Sequence, residues 1–296
     1  MSILASGGRG GTGGGGGPGG PGSPGGHSVA EAARRRHFGP LYSRNVRAVV
    51  ARGLMATKST NWMVMLSGFF EPVLYLTSMG VGLGAIVGSV QGPGGQDISY
   101  AAYIAPALLA VSAMNGAVYD STWNVFFKMN FARLYQGMLY TSLGPLDVAM
   151  GEIFLALLRG LLYATGFTAV MGVMGLITTP WAILMIPASV LIAFGFASFG
   201  MGITSFLKTF QQMDWISFVM LPMFLFSATF YPLSVYPEYI QWLIQAMPLW
   251  HGVELLRQIS VGVFSPATVL HIGYYVGMIV LGVLLTTGRL RSLFLK

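Results

Sequence analysis

WAILMIPASVLIAFGFASFGMGITSFL, residues 181–207, is the stretch that decides the fold. It carries no charged side chain and is longer than the roughly 18 apolar residues that mark a membrane-crossing helix. Five more segments of this kind flank it, at about 61–90, 100–119, 145–176, 213–231 and 267–287. Six apolar segments in one chain predict an all-α, polytopic membrane protein. The first segment is longer than a ~30 Å hydrocarbon core requires, and tilt or a break at Pro72 would absorb the excess.

Composition supports this from the whole chain. The 296 residues are 54% hydrophobic and 8% charged, with a mean hydropathy of +0.67. A soluble domain carries roughly 25% charged residues, so a water-facing surface cannot be built here. With no cysteine there is no disulfide, thiolate or Cys-ligated metal to consider.

The net charge of +7 raises the question of nucleic acid or membrane surface, and the positions of the charges answer it. With the N-terminus inside, the inner flanks hold Arg44, Arg47, Arg52, Lys58, Lys128, Arg133, Lys208, Arg289, Arg291 and Lys296. The outer loops, at 91–99, 177–180 and 232–266, hold Arg257 alone. That asymmetry predicts both ends on the cytoplasmic side and excludes a nucleic-acid footprint.

Three regions lie outside the spans. Residues 1–37 are rich in Gly, Pro and Ser and lack apolar periodicity, so a disordered cytoplasmic tail is expected. Residues 38–60 alternate a Val/Leu/Met stripe with basic residues, the pattern of an interfacial amphipathic helix. The remaining domain, 61–296, holds the six spans. Within it, 120–144 is a long cytoplasmic connection, and 232–266 is an external segment that stays apolar. Pro232, Pro237 and Pro248 cut that segment into pieces too short to cross, so they read as re-entrant or interfacial helices.

Charges inside apolar segments are expensive and are functional or paired. Glu71, followed by Pro72, either stabilises a kink or lines a substrate path. Glu152 and Arg159 lie seven apart on one helical face, too far for direct contact, so each is expected to pair with another helix or a symmetry mate. Lys208 and Asp214 read as a solvated pair, and Glu254 and Arg257 have i,i+3 spacing with His251 just before them. One His and one Glu do not make a zinc site, and the other histidines stand isolated in sequence. Gly80, Gly84 and Gly88, and Gly273 and Gly277, form small-xxx-small steps that mark helix packing. No nucleophile, base and orienting group cluster in one segment, and no phosphate loop is present, so this chain is not expected to be an enzyme or to bind a cofactor.

Several blocks together resemble one family. They are EPVLY at 71–75 with the following glycines, YIAPALLAVSAM at 103–114, and GEI at 151–153 with Arg159. LPMFLFSATFYP at 221–232 and PLWHGVELLR at 248–257 complete the set. In this order and spacing they resemble the membrane subunit of ABC-2 type exporters. The nearest branch is that of the nodulation-factor (lipo-oligosaccharide) exporter permeases, with daunorubicin-type drug-export permeases as near relatives. Ala107 stands where that branch carries Gly.

The resemblance implies a half-transporter in the cytoplasmic (inner) membrane that pairs with a second permease copy or paralogue. Two copies of a cytosolic ATPase would use ATP and Mg beneath it. It implies a coupling helix over Asn130, Phe131, Ala132, Arg133, Leu134, Tyr135 and Gln136. It implies an external exit region with Trp250, His251, Glu254 and Arg257. Glu71, Glu152 and Arg159 stay as intramembrane polar residues that either line a substrate path or pair structurally. The cargo would be amphipathic, a lipid-linked or lipid-modified glycan or a hydrophobic drug, with membrane lipid around it. An ion-coupled secondary transporter and an integral-membrane enzyme for lipid-linked substrates are the alternatives. The first lacks a detectable repeat between 61–176 and 181–287, and the second lacks clustered polar groups.

Overall fold

The computed structural model describes residues 46–58, 62–131, 134–139 and 143–294, and the expected tail at 1–37 lies outside them. The amphipathic stripe forms helix α1 (Val46–Lys58). Helix α2 (Trp62–Thr77) runs through Pro72 without a break. The irregularity expected at Pro72 appears one turn later, as a π-helical turn over Ser78–Leu83. There the Thr77 hydroxyl bonds back to the carbonyls of Val73 and Leu74 at 2.9 and 3.1 Å, a contact that bends helices. The helix ends at Gly88, whose φ of 73° favours glycine.

A short antiparallel hairpin follows, β1 (Ser89–Gln91) with β2 (Asp97–Ser99), in the register Ser89 to Ser99. The hairpin was not foreseen in an all-α chain. Its turn needs positive φ at Gly94 and Gly95, and the glycine-rich string at 92–96 supplies both.

Helix α3 (Tyr100–Tyr119) starts at Ser99, whose side chain accepts from the Ala102 amide. The chain does not leave the helix after Tyr119, as the sequence reading expected. It continues through π-helical turns at Asp120–Asn124 and Phe127–Phe131. The continuous apolar face through Val125, Phe126 and Met129 keeps it packed. Helix α4 (Leu134–Leu139) precedes α5 (Pro145–Val173), which stops at Gly175 with φ of 70°. A 3-10 turn at Pro180–Leu184 leads into α6 (Met185–Thr204). Helices α7 (Asp214–Phe226), α8 (Glu238–Ala246), α9 (Pro248–Val261) and α10 (Pro266–Phe294) complete the chain.

Among the described residues, five helices are long and apolar enough to cross a membrane: Phe70–Val87, Tyr100–Asn130, Leu146–Val173, Pro180–Thr204 and Pro266–Ser292. The segment expected at 213–231 is helical only over α7, behind a 3-10 turn at Phe210–Met213. It stops because residues 227–230 are drawn into the core in an irregular conformation, with Ala228 at a φ of 55°.

Helices α3 and α6 form the centre, with α5, α9 and α10 packed around them. Backbones meet at Gly282 of α10, where a Cβ would stand 2.5 Å from the backbone of Ser198 and Phe199 on α6. The seams marked in the sequence turn out differently. Gly80 packs on Ala101, while Gly84, Gly273 and Gly277 face open space. Helix α7 has no buried residue, and Trp215, Phe218, Val219 and Leu221 are exposed along it.

Candidate functional site

The polar residues of the apolar segments gather into three groups. The first is a cleft between α2, α3, α5 and α7. Glu71, Asn115, Arg159, Tyr163 and Ser217 line it, and Tyr119, Trp123 and Met220 form its walls, around a cavity of about 430 Å³. An adjoining cavity of about 300 Å³ shares Glu71, Asn115, Ser217 and Met220 and adds Tyr75, Leu221 and Phe224. This lining is polar at a few points and aromatic elsewhere, the usual build of a small-molecule site.

Charge balance distinguishes two residues of this cleft. Arg159 donates to Asp120 at 2.5 Å, and Asn124 donates to the same carboxylate at 2.6 Å, so that charge is neutralised within the chain. Glu71 makes no ion pair or hydrogen bond among the described residues. Asp120 escaped the sequence reading, which placed it in a cytoplasmic connection. The signal was Arg159 itself, a half-buried cation within an apolar segment that calls for a carboxylate partner.

The second group joins three elements at one carboxylate. Glu152 on α5 accepts from Lys128 Nζ at 2.5 Å and meets Arg52 of α1 at 3.6 Å. Glu152 and Arg159 therefore pair with different elements of the same chain. Tyr135 of α4 is fully buried near this group, its hydroxyl has no hydrogen-bond partner among the described residues, and burial pushes its pKa well above the usual value. Of the expected coupling helix, Asn130 donates to the Phe126 carbonyl at 3.4 Å, and Leu134 and Tyr135 lie on α4. Ala132 and Arg133 lie outside the described residues, as do the side chains of Phe131 and Gln136.

The third group sits on α9. Arg257 is 2% exposed. Its Nε donates to the Tyr103 carbonyl at 3.3 Å, and its two terminal nitrogens reach Glu254 at 3.1 Å and the Ala228 and Thr229 carbonyls at 2.6 and 3.0 Å. The guanidinium also lies 3.8 Å from the centre of the Tyr103 ring. Irregular backbone inside an apolar bundle must have its carbonyls satisfied, and Arg257 does this for the segment after α7.

His271 is not isolated, contrary to the sequence reading. Its Nδ1 lies 2.8 Å from Nδ1 of His251, and Tyr274 stacks on His251 at 4.0 Å. Burial, and then the neighbouring His271, push the pKa of His251 down to about 4, so it is neutral at pH 7. Trp250 packs edge-on against both histidine rings, with its Nε1 buried and unpaired. No group of three or more metal-ligating side chains occurs among the described residues. Lys208 and Asp214 form no ion pair. Gln212 accepts instead from the Lys208 and Thr209 amides and caps the turn before α7.

Comparison with known proteins gives this architecture its place. Residues 44–261 match the family described as ABC-2 type transporter. Nodulation protein J of Rhizobium leguminosarum bv. viciae is 30% identical over 260 residues, covering 87% of this chain and 98% of the relative. The protein of the same name from Sinorhizobium fredii is 31% identical over 250 residues, covering 84% and 94%. That of Azorhizobium caulinodans is 24% identical over 213 residues, covering 72% and 82%. A five-block resemblance in order, a long-helix bundle and matches over most of the chain converge, and the chain belongs to the ABC-2 type transporter family as a multi-pass transport membrane subunit.

Proposed function

We propose that the chain is the permease half of an ATP-driven exporter in the cytoplasmic membrane, moving an amphipathic substrate outward. The observation that carries this is the cleft between α2, α3, α5 and α7, which pairs a few polar groups with aromatic walls. An ion path would need several convergent charges, whereas this cleft suits a molecule with a polar head and an apolar body. The resemblance of the five sequence blocks to the lipo-oligosaccharide exporter branch extends the reading to lipid-modified glycans.

Hydrolysis belongs to a separate cytosolic ATPase, in two copies beneath a pair of permeases, and ATP and Mg are bound there. The segment 130–136 is the contact that receives its motion. The Glu152 group gives this assignment a physical route, because one carboxylate holds α1, the turn carrying Lys128 and α5 together. Motion at α4 would reach the bundle through that junction. The basic flanks support a cytoplasmic position for this end of the molecule.

The test replaces 130–136 by a Gly/Ser stretch and assays the chain with its ATPase in proteoliposomes. ATP-driven transport should fall to background while the variant still folds and inserts. Normal transport by this variant contradicts the coupling role.

A further inference from the structure

Buried polar side-chain atoms without a partner concentrate at one place. Among the described residues there are six, and three of them, Arg52 Nε, Tyr135 Oη and Glu152 Oε1, belong to the junction of α1, α4 and α5. Each such atom costs free energy, so a small movement that pairs them is favourable. Arg52 does not supply the bond, because its guanidinium stays 3.6 Å from Glu152 Oε1. Glycines on both sides hold α1 against α5. A Cβ at Gly53 of α1 would overlap Leu155 of α5, and a Cβ at Gly151 of α5 would stand 2.5 Å from Val49 of α1. The two helices therefore pack as one unit. Glu152 Oε2 is taken by Lys128 at 2.5 Å. The element left to move is α4, six residues long, with the Tyr135 ring fully buried beside the carboxylate. Burial, and then the Glu152 charge, keep the phenol protonated, so its hydroxyl can donate to an oxygen that can only accept.

We infer that Tyr135 is the residue through which α4 acts on the bundle: its hydroxyl, unpaired among the described residues, donates to Glu152 Oε1 when the ATPase displaces α4. The inference rests on the coupling role proposed for 130–136 and adds to it the contact that carries the motion. The junction then has two positions of α4, one with the hydroxyl unpaired and one with it on Glu152. A hydrogen bond to a buried charge favours the second by roughly 10- to 100-fold. Capture of Oε1 draws the Glu152 side chain toward α4, and Lys128 follows its carboxylate. Lys128 belongs to the continuous helical stretch Tyr100–Asn130, so the displacement reaches the centre of the bundle.

The test uses the full chain with a cytosolic ABC ATPase. In proteoliposomes, transfer of a fluorescent lipid-modified oligosaccharide is measured per ATP hydrolysed. Tyr135→Phe should leave hydrolysis within about twofold and lower transfer per ATP by at least about tenfold. In nanodiscs, 3-fluorotyrosine at position 135 reports on the hydroxyl directly. Its fluorine resonance should shift when ATP and Mg bind a hydrolysis-deficient ATPase. Glu152→Gln, which keeps an acceptor without the charge, should shrink that shift.

Transfer per ATP equal to that of the unsubstituted chain overturns the inference. An equal fall in hydrolysis and transfer also overturns it, because Tyr135 then serves ATPase docking alone. A fluorine resonance that ignores nucleotide does the same, and decides the matter if Tyr135→Phe does not fold. Each of these results leaves the coupling role of 130–136 intact as long as the Gly/Ser replacement abolishes transport. That role fails separately, through normal transport by the Gly/Ser variant.

Discussion

Arg257 ties α3, α9 and the irregular segment after α7 to one guanidinium. Arg257→Met should lose about 3–5 kcal/mol, because the Ala228 and Thr229 carbonyls and the Glu254 carboxylate lose their shared donor. Arg257→Lys should recover little of this, since a point charge cannot span the fork. Thermal unfolding in nanodiscs measures both, and a Lys variant as stable as the unsubstituted chain would contradict the account. At Tyr135 the expected sign is opposite. Its hydroxyl is buried without a partner among the described residues, so Tyr135→Phe should be neutral or stabilising by up to about 1 kcal/mol in the same assay.

The His251–His271 contact adds a pH dependence. With His251 held at about 4, the unfolded chain takes up a proton near pH 6.5 that the folded chain refuses. The contribution is present above pH 6.5 and is lost as pH falls toward 4. Melting temperature should therefore drop between pH 7 and 5, and His251→Asn should flatten that slope. Neither Arg257 nor the histidine pair was legible in full from the sequence. The spacing of Glu254 and Arg257 announced one ion pair, but the carbonyls and His271 come from segments distant in sequence, which only the packed bundle brings together.

At the scale of elements, apolar length was a reliable guide and local signals were not. The spans at 145–176, 181–207 and 267–287 reappear as α5, α6 and α10, because nothing inside them competes with the helix. The second span was underestimated, since Asp120 reads as an end to apolarity while Arg159 neutralises it within the bundle. At 213–231 apolarity hid a helix end, because it is silent about which backbone carbonyls a distant arginine will claim. Glycine spacing was similarly blind. Gly273 and Gly277 face open space, and Gly282 makes the contact between α6 and α10. A side chain at Gly282 would meet backbone, which cannot yield as a flexible side chain can. Gly282→Val should destabilise the fold by about 3 kcal/mol or prevent insertion, whereas Gly277→Ala should change melting by less than about 0.5 kcal/mol.

For the whole molecule, the sparse charges carry most of the information. Basic residues cluster in the segments expected inside, and the buried acids Asp120 and Glu152 are matched by Arg159 and Lys128. In the proposed function the polar side chains of the cleft bind and orient an amphiphile, and the proposed driving force comes from a second protein, a cytosolic ATPase. Co-reconstitution in proteoliposomes with a cytosolic ABC ATPase, followed by transfer of a fluorescent lipid-modified oligosaccharide, tests this most directly. The account predicts transfer that requires both proteins and ATP, none by this chain alone, and loss on replacement of 130–136. Transfer by this chain alone, driven by a proton gradient without ATP, would contradict it.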